Sequence, residues 1–246
     1  MKKINNKNKV DKILDIYGLN NRDRMNFLEI ITHIYNHKEF QKKMTQEFLH
    51  HGDVTLGEHI IEDAVVTYLM SRDYLKKHQD LTFDINIAVT IAMLHDLYTV
   101  PWQNNNEAKT YKFFNKHGFR HPIEAVINAA YWYPILFEDL HAAEKIIDGI
   151  AHHMFPFPVA VLKNSEKNLL ELKNFELLDK IPVHVKRILI KTTNRRKIGK
   201  ISFSHSLYKE GRIMAKADKY VSTRQIKDIS SAMALLTGHN KKILKK

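Results

Sequence analysis

The side chains in this sequence with the greatest potential for metal binding or catalysis are those of histidine and aspartate. There are 15 histidines and no cysteine, so thiolate ligands, disulfides and a cysteine nucleophile are excluded. His95 and Asp96 lie side by side in "IAMLHDLYTVPW" (91–102), at the end of an apolar run. Because an imidazole and a carboxylate are costly to bury without partners, we expect this pair to bind something.

Further histidines and one more aspartate fall at or near the ends of other predicted helices. Imidazole is the commonest protein ligand for transition metals, and a carboxylate can bridge two ions. A divalent ion held in this way lowers the pKa of its water from about 15.7 to about 7, which supplies hydroxide at neutral pH. The candidates for such a site are His51, His59, His95, Asp96, His117, His121, His152, His153 and Asp218.

The segments that would position these residues have helical periods. Apolar residues between 27 and 34 recur at the spacing i, i+3, i+4, i+7 of an amphipathic helix. Thr55 followed by Glu58 forms a capping box, which predicts a helix that starts at residue 56 and carries His59 in its first turns. Asp84 is the predicted cap of an apolar central helix over 85–97.

Two later helix boundaries are predicted from prolines. Pro122 occupies a predicted first helical position, and the prolines of "FPFP" (155–158) end the helix that precedes them. Residues 159–180 are polar and less periodic, which favours a connection or a lid. Since no run of strands separated by hairpin signals is present, the predicted fold is an all-α compact helical bundle whose helix ends converge on an interior site.

The chain is basic. Lysine and arginine number 39 against 27 acidic residues, giving a formal net charge of +12, which favours an anionic partner such as a phosphoester or nucleic acid. The N-terminus lacks the apolar segment of a secretory signal, and the longest apolar run, "INIAVTIAML", is far shorter than a membrane span. We therefore expect a cytoplasmic protein with no membrane partner.

The order of the candidate residues resembles that of a known family. His59, the pair His95–Asp96, and Asp218 in "AKADKYVS" are similar to the H…HD…D signature of the HD-domain metal-dependent phosphohydrolases. The stretches "HGFRHP" and "IAHHMFP" resemble the extra histidines of the binuclear branch, and "HGDVTLGEHIIEDAVVTY" resembles the opening of a group of bacterial HD proteins. The resemblance implies a helical bundle of the HD type.

The resemblance also implies a division of the chain. The HD domain would occupy residues 46–230, with 157–205 as an insertion or lid. A helical extension at 1–45 would precede it, and a basic tail at 231–246 would follow it.

A role for each candidate follows from the same resemblance. One ion would be held by the residues of the signature, His59, His95, Asp96 and Asp218. Asp96 would bridge to a second ion held by His121 and His152, with His117 as the alternative to His121. His153 would be a ligand, a neighbour of the ligands or a phosphate contact, and it joins Asp96 as an expected catalytic residue. Contacts to the substrate are expected from His51, His117, Arg212, Lys216 and Lys219.

The implied function is hydrolysis of a phosphomonoester or phosphodiester, such as a nucleotide, by a metal-activated hydroxide. Imidazoles with carboxylates suit transition metals better than magnesium or calcium, and the resemblance favours one or two ions of iron or manganese over zinc, cobalt or nickel. Two alternatives stay open. One is an HD-type di-iron oxygenase. The other is a non-catalytic basic helical protein that binds nucleic acid, although no helix-turn-helix or zinc-finger signature is present.

Overall fold

Helices make up most of the described chain, which comprises residues 6–99, 117–162 and 175–225 of a computed structural model. The α-helices are α1 (Asn6–Ile16), α2 (Asn21–Tyr35), α3 (Lys38–Lys43), α4 (Leu56–His78), α5 (Ile85–Leu94), α6 (His117–Trp132), α7 (Leu140–Ala151), α8 (Val183–Thr193) and α9 (Lys209–Gln225). Short 3-10 helices span Pro134–Phe137 and Phe175–Leu177. The predicted all-α class is confirmed. Within the described ranges, no helix is both long and apolar enough to traverse a bilayer.

The helices α4 and α5 form the centre of the bundle. Helix α5 packs against α2, α4, α7 and α9, which explains why its sequence is apolar on nearly every side. Helix α4 begins at Leu56, as its capping box predicts: the Thr55 hydroxyl accepts from the backbone N–H of Glu58, whose carboxylate accepts from the N–H of Thr55. His59 is therefore fixed in the first turn of α4.

Helix α5 begins where Asp84 predicts but ends three residues early. The Asp84 carboxylate accepts from the N–H groups of Asn86 and Ile87. The helix stops at Leu94 rather than at residue 97, because the next backbone bond, from Leu97 N–H to the Leu94 carbonyl, tightens the chain into a turn. The early end places His95 and Asp96 just beyond the helix rather than within it.

The prediction that Pro122 begins a helix is wrong. Helix α6 starts at His117 and has Pro122 in its interior. Proline lacks the N–H that would donate to the carbonyl four residues earlier, so α6 runs with one backbone hydrogen bond missing at this point. The earlier start brings both His117 and His121 onto the same helix.

Five short strands were not predicted. β1 (Leu49–His51) and β2 (Val54–Thr55) form an antiparallel hairpin, in which Gly52 takes a positive φ of 58°. The strands β3 (Val159–Ala160), β4 (Lys197–Ile198) and β5 (Ile201–Ser202) form a small sheet in the order β3-β5-β4. The hairpin leads directly into α4, so it holds the segment around His50 beside the first turn of that helix.

The N-terminal helices share the core of the bundle. Helices α1 and α3 pack against α4, and α2 packs against α5. Their buried side chains, such as Leu14, Phe27 and Ile31, belong to the same hydrophobic cluster as the centre of α5. In the segment predicted as an insertion, α8 packs against α7, while residues 163–174 lie outside the described part, as does the basic tail at 231–246.

The crossing of α7 and α9 depends on two glycines. A Cβ atom added to Gly149 would lie 2.6 Å from Ile91 Cδ1 and 3.2 Å from the Cα atom of Gly211. A Cβ atom added to Gly211 would lie 2.7 Å from the Cα atom of Gly149. The two backbones therefore approach closely, and this contact sets the distance between the segments that carry His153 and Asp218.

Substituting Gly149 by alanine should destabilise the protein. The added methyl group forces α7 away from α5 and α9, and overpacking of this kind costs roughly 1–3 kcal/mol, more than the approximately 1 kcal/mol that alanine gains in helix propensity. Chemical denaturation of Gly149→Ala measures the change in the free energy of unfolding. Gly118→Ala on α6 is the control, because an added Cβ meets no atom within 4 Å and should be neutral or stabilising. Equal stability of Gly149→Ala and the wild type would contradict the tight crossing.

Candidate metal centre

Asp96 lies at the centre of the candidate site, and its two carboxylate oxygens face different imidazoles. Oδ2 lies 3.7 Å from His95 Nε2 and 3.9 Å from His59 Nε2. Oδ1 lies 3.4 Å from His121 Nε2 and 3.8 Å from His153 Nε2. The two oxygens therefore join two separate sets of histidines, which we call the inner and the outer set.

The inner set contains two further carboxylates. Asp63 Oδ2 lies 3.0 Å from His59 Nε2 and 3.4 Å from His95 Nε2, and Asp218 Oδ1 lies 3.7 Å from His59 Nε2. One donor atom from each of these residues fits within 4.8 Å of all the others. We call His59, Asp63, His95 and Asp218 the inner cluster, and His121 with His153 the outer pair.

The Nδ1 atoms of the histidines are held by oxygen acceptors. The contacts are His95 Nδ1 to the Ala92 carbonyl at 2.7 Å, His153 Nδ1 to the Ile150 carbonyl at 2.8 Å, His121 Nδ1 to the His117 carbonyl at 3.1 Å and His59 Nδ1 to Gln225 Oε1 at 2.9 Å. Because these oxygens can only accept, each Nδ1 must carry the proton and donate it. In a neutral ring, Nε2 then presents a lone pair, which is the form that ligates metals.

The outer pair brings two such lone pairs together. His121 Nε2 and His153 Nε2 are 3.0 Å apart. Burial lowers the pKa of both imidazoles well below the usual value, so both are neutral at pH 7. Two lone pairs at this distance repel each other and also repel Asp96 Oδ1, unless a cation lies among them.

Burial also disfavours the ionised form of the carboxyl groups at this site. Burial, together with the charges of Asp218 and Asp96, raises the pKa of Asp63 well above its usual value. Burial raises the pKa of Asp96 to about 6, a shift that His95 opposes and the charge of Asp218 reinforces. Among the described residues, no lysine or arginine nitrogen lies within 4.0 Å of these three carboxylates. Buried imidazoles and carboxyl groups this close together form a donor set that could hold a metal ion.

Six of the seven predicted metal ligands converge at this site, and His152 is the exception. Helix α7 ends at Ala151, and the buried ring of His152 lies near Arg195, His205 and the backbone of Thr192. Burial and the nearby charge of Arg195 lower the pKa of His152 to about 3, a shift that a hydrogen bond with the Thr192 backbone opposes. The geometry thus gives His153, rather than His152, the place opposite His121.

Of the two alternatives on α6, His121 is the one that faces Asp96. The ring of His117 stacks on His121 at 4.9 Å and meets the edge of Tyr98 at 4.7 Å, and its carbonyl accepts from His121 Nδ1. His117 therefore supports His121.

The residues predicted to contact the substrate lie in different surroundings. Arg212 donates from Nε to the Ser206 carbonyl at 2.8 Å and from Nη2 to the Leu207 carbonyl at 3.1 Å, so it braces its own loop. Lys216 is exposed. Lys219 donates to the Phe155 carbonyl, and its charge helps to lower the pKa of His153, which places it near the outer pair. The side chain of His51 lies outside the described part of the chain.

Two residues of the site were not predicted from the sequence. Asp63 follows His59 by four residues, so both lie on one face of α4, and this spacing was the available signal. His50 stacks on His59 at 4.1 Å, and its Nε2 lies 4.0 Å from Asp96 Oδ2. Its position depends on the hairpin of β1 and β2, which was not predicted from the sequence.

No protein-family model, no curated protein and no solved structure matches this chain. The chemistry of the site therefore rests on its own side chains. The resemblance to the HD-domain phosphohydrolases stays a prediction from the order of the motifs.

Replacing His152 and His153 one at a time should distinguish their roles. His153→Ala removes one of two facing lone pairs and should weaken binding of one divalent ion by about tenfold or more. His152→Ala should retain both ions but lower the free energy of unfolding, because it leaves a cavity behind α7. Elemental analysis and calorimetric titration with Mn²⁺ measure the binding, and denaturation measures the stability. Loss of an ion in His152→Ala alone would reverse the assignment.

Metal affinity should fall as the pH is lowered, because Asp63 and Asp96 both have raised pKa values and must be ionised to bind an ion. Asp96 has a pKa raised to about 6, so it is ionised above this pH and takes up a proton below it. Each proton that must leave before an ion binds reduces the affinity by up to about tenfold per pH unit. The outer pair stays neutral in this range because its pKa values are lowered.

Calorimetric titration between pH 5 and 7.5 measures this dependence. The matched control is Asp179→Asn, which removes an exposed carboxylate and should leave the profile unchanged. An affinity that is constant across the range would contradict the role of Asp96.

Proposed function

We propose that this protein is a metal-dependent phosphohydrolase of the HD-domain type, with two divalent ions bound on either side of Asp96. The observation that carries the proposal is the outer pair: two neutral imidazoles whose Nε2 atoms are 3.0 Å apart and face one oxygen of Asp96. With both rings neutral and both Nδ1 protons given to carbonyls, no hydrogen bond can join the two Nε2 atoms. A cation satisfies all of them at once.

The protein residues arrange the site before any ion or substrate enters. The carbonyls of Ala92, His117 and Ile150 fix the ring orientation of three histidines. Asp96 presents one oxygen to each set, as a bridging carboxylate does. Divalent ions bound here would lower the pKa of a water molecule and neutralise charge on a phosphoryl group, which are the two requirements of phosphoester hydrolysis.

Several features favour an anionic substrate. Lys219 lies near the outer pair, and the whole chain carries a formal net charge of +12. The chain has no cysteine, which fits attack by water rather than by a thiolate. The order of the motifs supports a phosphomonoester or phosphodiester, such as a nucleotide, as the class of substrate.

Hydrolysis of phosphoesters should require both metal and an ionised Asp96. Metal-stripped protein, reloaded with Mn²⁺, Fe²⁺, Zn²⁺ or Co²⁺, is assayed against a panel of nucleotides, phosphomonoesters and phosphodiesters. Asp96→Asn keeps the shape of the side chain but removes its charge, and should lower kcat/KM by about 10²–10³-fold or more. The matched control is Asp139→Asn, which alters only the cap of α7 and should remain active.

The assay is run with and without oxygen. Turnover that is equal in both conditions and releases phosphate or a phosphomonoester supports the proposal. Turnover that depends on oxygen would favour a di-iron oxygenase instead, and salt-sensitive retention on nucleic acid without any turnover would favour the binding protein.

A further inference from the structure

Asp63 lies deepest among the acidic residues of the metal centre. It is 0% exposed, and neither of its carboxylate oxygens hydrogen-bonds to a residue in the described ranges. Its Oδ2 lies between two imidazole nitrogens, 3.0 Å from His59 Nε2 and 3.4 Å from His95 Nε2. The H…HD…D signature has no place for this residue.

The usual role of a carboxylate beside a ligating histidine does not fit Asp63. Such a carboxylate accepts from Nδ1 and orients the ring, while Nε2 faces the metal. Here the Nδ1 positions are already taken, by Gln225 for His59 and by Ala92 for His95. Asp63 instead faces Nε2, on the side from which a metal would be bound.

We infer that Asp63 is a direct ligand of an ion bound by the inner cluster, and that the two ions of the centre are consequently held with unequal strength. The inference rests on the proposed metal centre. The inner ion has the carboxylates of Asp63 and Asp218, two imidazoles and one oxygen of Asp96. The outer ion has two neutral imidazoles and the other oxygen of Asp96.

The difference in charge sets the difference in affinity. The inner ion is balanced by two carboxylates and a share of a third, whereas the outer ion has only its share of Asp96. Coulomb attraction in a buried site is strong, so the inner ion binds more tightly. The outer ion has fewer protein ligands and therefore keeps open positions for water and substrate, as catalytic metal sites do.

Titration of metal-free protein with Mn²⁺ alone tests the inference, by calorimetry and by the electron paramagnetic resonance signal of free Mn²⁺. The wild type is expected to show two classes of sites whose dissociation constants differ by about tenfold or more. Asp63→Asn should weaken the tight class by about tenfold or more and leave the weak class in place. His153→Ala should remove the weak class only. Asp73→Asn is the matched control, because it makes the same change at an exposed position of the same helix.

Unchanged tight binding by Asp63→Asn would overturn the inference. Circular dichroism and thermal denaturation show whether that variant folds. If it does not, anomalous diffraction from crystals of the wild type grown with Mn²⁺ decides the matter: an ion bonded to Asp63 supports the inference, and an ion bonded only to the other ligands overturns it.

The outcomes for the two proposals are distinguishable. A protein that binds two classes of Mn²⁺, loses the tight class in Asp63→Asn and hydrolyses no phosphoester refutes the proposed function alone. A metal-dependent phosphohydrolase whose tight site is indifferent to Asp63→Asn refutes the inference alone. A wild type that binds no divalent ion refutes both.

Discussion

Asp96 lies among four imidazole rings that all direct Nε2 towards its carboxylate. This placement is the constraint on which the rest of the structure depends. The two carboxylate oxygens lie within 3.9 Å of four Nε2 atoms, contributed by α4, α6 and the segments that follow α5 and α7. Two more buried carboxylates, Asp63 and Asp218, stand on the inner side. Because lone pairs and carboxylates repel one another, this convergence is unfavourable by itself. The packing of the helices must therefore maintain an arrangement whose repulsion a bound cation would relieve.

Helix ends supply the means of orienting these side chains. The last carbonyls of an α-helix have no intrahelical partner. At the end of α5, the Ala92 carbonyl accepts from His95 Nδ1, and at the end of α7, the Ile150 carbonyl accepts from His153 Nδ1. The same bonds that satisfy the backbone thus fix two rings with Nε2 towards Asp96. The partial negative charge at a helix C-terminus also favours a cation at this position.

Cap residues predicted two helix starts well, whereas the proline taken as the start of α6 lies inside that helix. The cap residues Thr55 and Asp84 act through contacts two or three residues away, so the sequence alone was enough to place the first residues of α4 and α5. The end of α5 depends on how the chain turns after Leu94, which periodicity does not encode. The same limit explains the exchange of His152 for His153, since neighbours beyond a helix end project according to tertiary packing. The candidate metal ligands were predicted from their order along the chain, which carries information that spacing within one helix lacks.

The energetics of the centre and of the fold are linked through α4. This helix carries His59 and Asp63 on the face towards the metal centre, while its other faces pack on α1, α3 and α5. The hydrophobic cluster around α5 compensates for the repulsion among the buried carboxylates of the metal-free protein. An ion bound by the inner cluster, as proposed, would remove this repulsion and would add its binding free energy to that of folding. The buried position of Asp63 would then be a source of stability in the metal-bound protein and of instability without metal, so one carboxylate would link occupancy of the centre to the integrity of the bundle.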